Sequence, residues 1–333
     1  MSLLPAFDLA EPATAQEAVS LKAAHSTARF LGGGTDLIPN LRRGIGSPDL
    51  LISLAKIPEL QRFEVNDDGL LIGAGINIAD LENSGPLREY YPAISMAAAS
   101  IAGPGHRAMA TLGGNLCLDT RCVFYNQSQW WRAANHYCLK KDGDTCHVAK
   151  KGDTCIAAYS GDLAPALMVL AAEVEIMTGT GRQRRSLSNI FREDGKSYLD
   201  LDAADLIVAV HVPASPGLRS GYFKSRIRQS LDFPLAGVAA ALTRQGDAIS
   251  GLAVAITGTN SRPVLLEGLD ALTGKPLSDG LLDRLDKIIS RSIQPMRTTV
   301  VPSLYRRHMA SVLARRLVRQ LYEHGDCKQG RIQ

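Results

Sequence analysis

Three consecutive glycines, Gly32-Gly33-Gly34, followed by Thr35-Asp36, break the chain between two short apolar runs, Ala28 to Leu31 and Leu50 to Leu54. No regular helix or strand favours such a triplet, so the chain must turn there, and the missing side chains let its backbone approach another molecule closely. The flanking runs read as strands, giving a compact β-α-β-like unit with a glycine turn in it. Upstream, Thr14-Ala15-Gln16-Glu17 has the form of a capping box and predicts a helix to about Ala24.

A second glycine site, Thr111-Leu112-Gly113-Gly114-Asn115, follows the same logic. Successive backbone N–H groups at such turns can cradle phosphate oxygens, and small hydroxyl and amide side chains add donors. Neither site is a G-x-G-x-x-G fingerprint with its downstream acid, nor a phosphate loop ending in Lys-Ser/Thr, which disfavours a nicotinamide Rossmann domain and a P-loop enzyme.

Between and after these sites the pattern alternates. Asn66-Asp67-Asp68-Gly69 joins two strand-like runs into a hairpin, and Pro92 to Ala102 reads as a helix. Leu163 to Ala171 is a helix candidate capped by Asp162, and Glu173 to Met177 and Leu206 to Val212 read as strands. Beyond a Pro/Ala/Ser/Gly linker at 213–217 come strands at about Tyr222 to Arg228, Gly237 to Thr243 and Ile249 to Gly258, then two helices. The last, about Val301 to Glu323, places Leu304, Val312, Leu313, Leu317, Val318 and Leu321 near one face and arginines around the other.

Charge and hydropathy narrow the function. A net charge of +4 spread along 333 residues gives little support for nucleic-acid binding. No apolar stretch approaches a membrane span, and Met1 to Ala10 lacks the pattern of a secretory signal, so a cytoplasmic location is expected.

In that reducing setting clustered cysteines point to metal or redox chemistry rather than disulfides. Five of six, Cys117, Cys122, Cys138, Cys146 and Cys155, fall in one segment, with Cys327 alone near the end. The last four of the group are separated by 15, 7 and 8 residues. Four thiolates can close around zinc or a 4Fe-4S cluster, and the spacing matches neither the paired C-x2-C of zinc sites nor a ferredoxin. His136 and His147 are possible zinc ligands that read more readily as solvent-facing or supporting groups, and Trp130-Trp131 as cover for a cluster or an interface.

The order of these motifs resembles the FAD-binding medium subunit of the xanthine dehydrogenase and carbon monoxide dehydrogenase family, over nearly the whole chain. The resemblance implies an α+β fold: a two-lobed FAD-binding domain of the PCMH/VAO type, then a small α+β C-terminal domain of the CO dehydrogenase flavoprotein type. The implied boundaries are 1–216, with lobes at about 1–57 and 58–216, and 217–333. By the same resemblance FAD is held by Phe30, Leu31, Gly32, Gly33, Gly34, Thr35, Asp36 and Leu37, by Thr111, Gly113, Gly114 and Asn115, and by Asp162 and Lys224, with Ala102, Leu118 and Leu206 also in contact.

The insertion at about 116–158 is similar to that of the beta subunits of 4-hydroxybenzoyl-CoA reductases, shown by Asp119-Thr120-Arg121-Cys122, Trp130-Trp131-Arg132 and Tyr137-Cys138-Leu139-Lys140. This implies one 4Fe-4S cluster on Cys122, Cys138, Cys146 and Cys155. It further implies a molybdenum-cofactor large subunit and a 2Fe-2S small subunit as partners in a heterohexamer, ferredoxin as donor, and reductive removal of the phenolic hydroxyl to give benzoyl-CoA. No catalytic acid, base or nucleophile is expected on this chain. Cys117-x4-Cys122 begins a plant-type 2Fe-2S pattern, but no C-x2-C completes it. The alternatives are a flavin subunit of another molybdenum hydroxylase, passing electrons outward to NAD or a quinone, and a non-catalytic zinc-stabilised binding protein.

Overall fold

The computed structural model describes residues 4–228 and 231–324, so Cys327 lies outside the described residues. Its architecture is α+β, with three sheets. β1 (Asp8–Ala10), β2 (Arg29–Leu31) and β3 (Leu50–Ser53) form a parallel sheet in the order β1-β3-β2. The helix Ala15–Ala24 crosses from β1 to β2, and Thr14 accepts from Glu17 N as expected of a capping box, but Glu17 reaches back to Ala13 N rather than to Thr14. The short β1 carries no alternation the sequence could reveal.

The second sheet is antiparallel in the order β4-β5-β8-β6-β7, from β4 (Phe63–Asn66), β5 (Gly69–Gly73), β6 (Glu173–Thr178), β7 (Gly181–Ser186) and β8 (Leu206–Pro213). Asn66 closes the β4–β5 hairpin by accepting from Asp68 N and Gly69 N at 3.0 and 3.2 Å. The basic run Arg182 to Arg185 lies in the edge strand β7, and charges on an edge discourage pairing with another chain.

The third sheet, order β12-β11-β10-β9, comprises β9 (Arg219–Ser225), β10 (Ala236–Gln245), β11 (Ala248–Thr257) and β12 (Val264–Leu265). Its alanine-rich β10 is buried on both faces. Ala236, Val238, Ala240 and Leu242 pack under helices Asp279–Ser292 and Ser303–His324, whereas Ala239 and Ala241 join the larger core beneath the first two sheets. Small side chains on both faces are what allow a sheet to sit between two layers.

The last helix departs from its expected amphipathic pattern at the N-terminal end. Leu304 is 75% exposed, and Arg306 is fully buried, donating to Leu235 O, Met296 O, Thr298 Oγ1 and Gly258 O. Burial holds this guanidinium down to about 10. No described helix is long and apolar enough to cross a membrane.

Candidate functional site

A cleft of about 770 Å³ draws its lining from all three parts of the chain. The first glycine segment lies along it, and glycine is required there by contact. A Cβ on Gly33 would stand 1.6 Å from the Met109 carbonyl oxygen, and one on Gly32 2.9 Å from Thr111 Oγ1. The two glycine segments therefore abut. Gly34 turns the chain at φ +71°. Among the described residues, no protein acceptor takes the N–H groups of Gly32 to Asp36, which leaves a row of donors for an anion.

Opposite, Thr111 caps the helix Leu112–Leu116 by accepting from Gly114 N at 3.1 Å, and Asn115 Oδ1 accepts from Leu163 N at 3.1 Å. Ala102, also on the wall, takes φ +42°, a conformation costly for a residue with a Cβ and one that concentrates at ligand sites.

Asp162 lies at the foot of the cleft. It precedes the helix Leu163–Met168 but makes no side-chain cap, contrary to its sequence reading. Its carboxylate instead accepts from Tyr222 OH at 2.6 Å and Lys224 Nζ at 3.0 Å, with Lys224 also donating to Ser100 O at 3.1 Å. Burial raises Asp162 and lowers Lys224, each offset by the other's charge. Tyr222 and Lys224 are two apart on β9 and so share a face, a signal present in the sequence that names Tyr222 as Lys224's companion.

Of the residues implied for FAD, Phe30, Gly32 to Leu37, Ala102, Thr111, Gly114, Asn115, Leu118, Asp162 and Lys224 line the cleft. Leu31, Gly113 and Leu206 do not. Gly113 faces Ala74, where a Cβ would meet Ala74 Cβ at 2.9 Å, and Leu206 is buried in β8 opposite Met177. Sequence reasoning overlooked Arg121, which pairs with Asp36 and lies 4.4 Å from the Phe233 ring centroid, and the contribution of residues 192–205 to the rim. Nothing local to Arg121 marks it, since both contacts come from distant segments.

The cysteine insertion joins this cleft. Its neck closes where Arg121 and Ala158 exchange backbone hydrogen bonds at 2.7 and 2.8 Å, and Val123 N donates to Thr298 O at 2.9 Å. Within it Cys138, Cys146 and Cys155 are buried and Cys122 packs against Tyr125 and Cys138. Burial pushes the Cys122 thiol up, with Cys138 and Cys146 adding to the rise, while the Phe124 and Tyr125 N–H groups pull it down. Cys155 is pushed up to about 11 by burial, against the Ala157 N–H and the Lys140 charge. Ala149 N donates to Cys146 Sγ at 3.4 Å.

Backbone N–H groups thus reach three of the four thiols, Cys122, Cys146 and Cys155. Among the described residues, no three His, Cys, Asp or Glu side chains are set closely enough to hold a single ion. His147 is committed elsewhere, stacked on Phe124 with ring centroids 5.2 Å apart and its Nε2 against Tyr137 O, and His136 faces solvent. Cys117 lines the cleft, and burial pushes its thiol up to about 12.

Two cations are buried in the insertion. Arg132, 1% exposed, donates to the carbonyls of Gln127, Arg43 (2.9 Å) and Gly44 (3.1 Å), and its Nε has no partner. Lys140 donates to Asp119 at 2.6 Å and lies 4.3 Å from the Tyr125 ring centroid. Asp119, Tyr125 and Lys140 all line the cleft, and Tyr125 also packs with Cys138 and Cys122.

The family described as the FAD binding domain in molybdopterin dehydrogenase matches residues 5–215, and the CO dehydrogenase flavoprotein C-terminal domain matches residues 221–321. The aldehyde oxidoreductase FAD-binding subunit of Escherichia coli is 32% identical over 86% of this chain and 91% of its own. The carbon monoxide dehydrogenase medium chain of Afipia carboxidovorans is 25% identical, covering 94% and 95%. A chain of the reconstituted CO dehydrogenase from Oligotropha carboxidovorans superposes with a TM-score of 0.79 at 23% identity, covering 96% of this chain and 99% of its own, which shows a shared fold.

Proposed function

The chain belongs to the FAD-binding subunits of the molybdopterin dehydrogenase family, and on that premise we propose that it is a two-cofactor electron relay, with FAD in the cleft and a 4Fe-4S cluster on Cys122, Cys138, Cys146 and Cys155. The observation that supports this reading is Tyr125, which lines the cleft and packs with Cys138 and Cys122.

FAD exchanges electrons in pairs or singly and an iron-sulfur cluster one at a time, so the pair suits a relay to a distant centre. The chain's own residues bind and orient. The N–H row at Gly32 to Asp36 holds the pyrophosphate, Thr111 and Asn115 fix the opposing turn, and the Tyr222–Asp162–Lys224 set joins the cleft's foot to the third sheet. We place the FAD-binding part at 1–216, with its two lobes meeting near residue 57, and the C-terminal part at 217–333. Phe30, Leu37, Ala102 and Leu118 remain proposed FAD contacts, and Leu31, Gly113 and Leu206 are assigned instead to support of the residues that line the cleft.

At the assembly level the reading is a subunit of a 4-hydroxybenzoyl-CoA reductase type enzyme in the cytoplasm. A molybdenum-cofactor large subunit and a 2Fe-2S small subunit complete a heterohexamer fed by ferredoxin. Substrate chemistry then falls on the large subunit. A second reading, a flavin subunit of another molybdenum hydroxylase with iron-sulfur clusters on partner subunits only, is favoured by the relatives, among them an aldehyde oxidoreductase and a carbon monoxide dehydrogenase.

The iron-to-FAD ratio of this subunit, purified without oxygen, separates the two. About four irons per flavin supports the cluster. Flavin without iron leaves the second reading.

A further inference from the structure

We infer that Arg121 is a positioning residue for FAD: its guanidinium offsets the charge of the Asp36 carboxylate at the end of the first glycine segment, so that the N–H row of Gly32 to Asp36 can take an anion. This rests on the reading of the cleft as the FAD site, and not on the cysteine group.

The donor row ends in a residue whose side chain carries the wrong charge for its ligand. Asp36 supplies a backbone N–H to a turn suited to phosphate oxygens, and the same residue lines the cleft with its carboxylate close by. A carboxylate so placed repels a pyrophosphate, the more strongly where water is thin, unless a cation offsets it. Arg121 is that cation. Its side chain, 12% exposed, pairs with Asp36 Oδ1, and among the described residues it pairs with no other carboxylate. Asp36 Oδ2 accepts from Asn40 Nδ2 at 3.2 Å, so both carboxylate oxygens are engaged within the chain.

The guanidinium is held from two directions. The backbone of Arg121 exchanges hydrogen bonds of 2.7 and 2.8 Å with Ala158 at the neck of the insertion, which fixes where the side chain starts. Its head then lies over Phe233, 4.4 Å from the ring centroid, a contact that favours a planar cation on an aromatic face. Phe233 lines the cleft as well. A pair built only to tie the neck to the glycine segment and a pair built to offset charge look alike in this geometry, but they respond in opposite ways when the carboxylate loses its charge.

Holoenzyme carrying Arg121→Met, Asp36→Asn or both changes is stripped of flavin and titrated with FAD, binding being followed by flavin fluorescence and folding by thermal unfolding. We expect Arg121→Met to raise the dissociation constant about tenfold or more, the scale of one unbalanced charge in a partly buried site. Adding Asp36→Asn to it should recover most of that loss, and Asp36→Asn alone should bind FAD at least as tightly as wild type. A dissociation constant for Arg121→Met within error of wild type overturns the inference. So does a double variant as weak as Arg121→Met or weaker, which is what a structural tie predicts. If Arg121→Met does not fold, Asp36→Asn alone decides, and weaker binding than wild type overturns the inference. Wild-type protein that binds no FAD is a separate outcome, seen before any variant is titrated, and removes the FAD reading of the cleft together with this inference.

Discussion

Lys224 Nζ stands 3.0 Å from Asp162 Oδ2, both side chains only 4% exposed, and this pair ties β9 of the third sheet to the helix Leu163–Met168 at the floor of the cleft. Replacing Lys224 by Met strands a buried carboxylate. We expect a loss of about 3–5 kcal/mol in denaturant unfolding, the range for breaking one side of a buried pair, and a lower flavin content in the purified protein. An unchanged flavin content and unfolding midpoint would show that the pair matters neither to fold nor to cofactor.

Gly33 and Gly114 make a contrasting pair. A methyl on Gly33 would be driven into the Met109 carbonyl at 1.6 Å, whereas one on Gly114 meets the Thr111 hydroxyl at 3.0 Å. Gly33→Ala therefore forces a backbone shift, with an overpacking cost of about 1–3 kcal/mol, and FAD retention after gel filtration should collapse. Gly114→Ala should retain more flavin, because a side chain can give way where a main chain cannot.

Serine substitution sorts the cysteines. Cys138→Ser or Cys146→Ser should lower the iron content while flavin stays, and Cys117→Ser should leave iron at its wild-type level, since Cys117 faces the cleft. Iron and flavin absorbance measured on the same sample decide each case. Iron lost on changing Cys117 would move a ligand to that position.

On the second sheet, Glu175 is bonded to His211 at 3.0 Å and paired with Arg182. Burial works against its charge, but the hydrogen bonds from His211 and Arg182 prevail and hold the carboxyl below its ordinary value of 4.5. A depressed carboxyl contributes stability that is present above that value and lost as pH falls through the folded one. Glu175→Gln should thus cost up to about 1 kcal/mol at pH 7, the scale of a partly solvated pair, and progressively less as pH falls below 4.5 through the folded value. Parallel unfolding curves across that range for both proteins would refute the linkage.

The sequence reveals what is local and periodic. The Asn66–Gly69 turn and the Thr14 cap are legible, and so are the apolar runs of β10 and β11, because turn residues and short apolar runs are written in adjacent residues. β1 is too short at three residues to show a period, and β7 hides behind five polar side chains. The cleft's glycine segments and the cysteine group are likewise visible as clusters. What joins them is not. Arg121 meets Asp36 across 85 residues, and Tyr222 meets Asp162 across 60, so only the folded chain makes them neighbours.

The way Arg132 is seated bears on how such an insertion can be gained or moved. Two of its acceptors, Arg43 O and Gly44 O, belong to a turn far from the insertion, where Gly44 adopts φ +70° and a Cβ would stand 2.4 Å from Gln129 Oε1. Val123 leans in the same way on Thr298. The segment is therefore no portable cassette. Grafted alone into a relative, it would arrive without its receptor, and a working transplant must carry the turn around Gly44 and the stretch around Thr298 along with the cysteines.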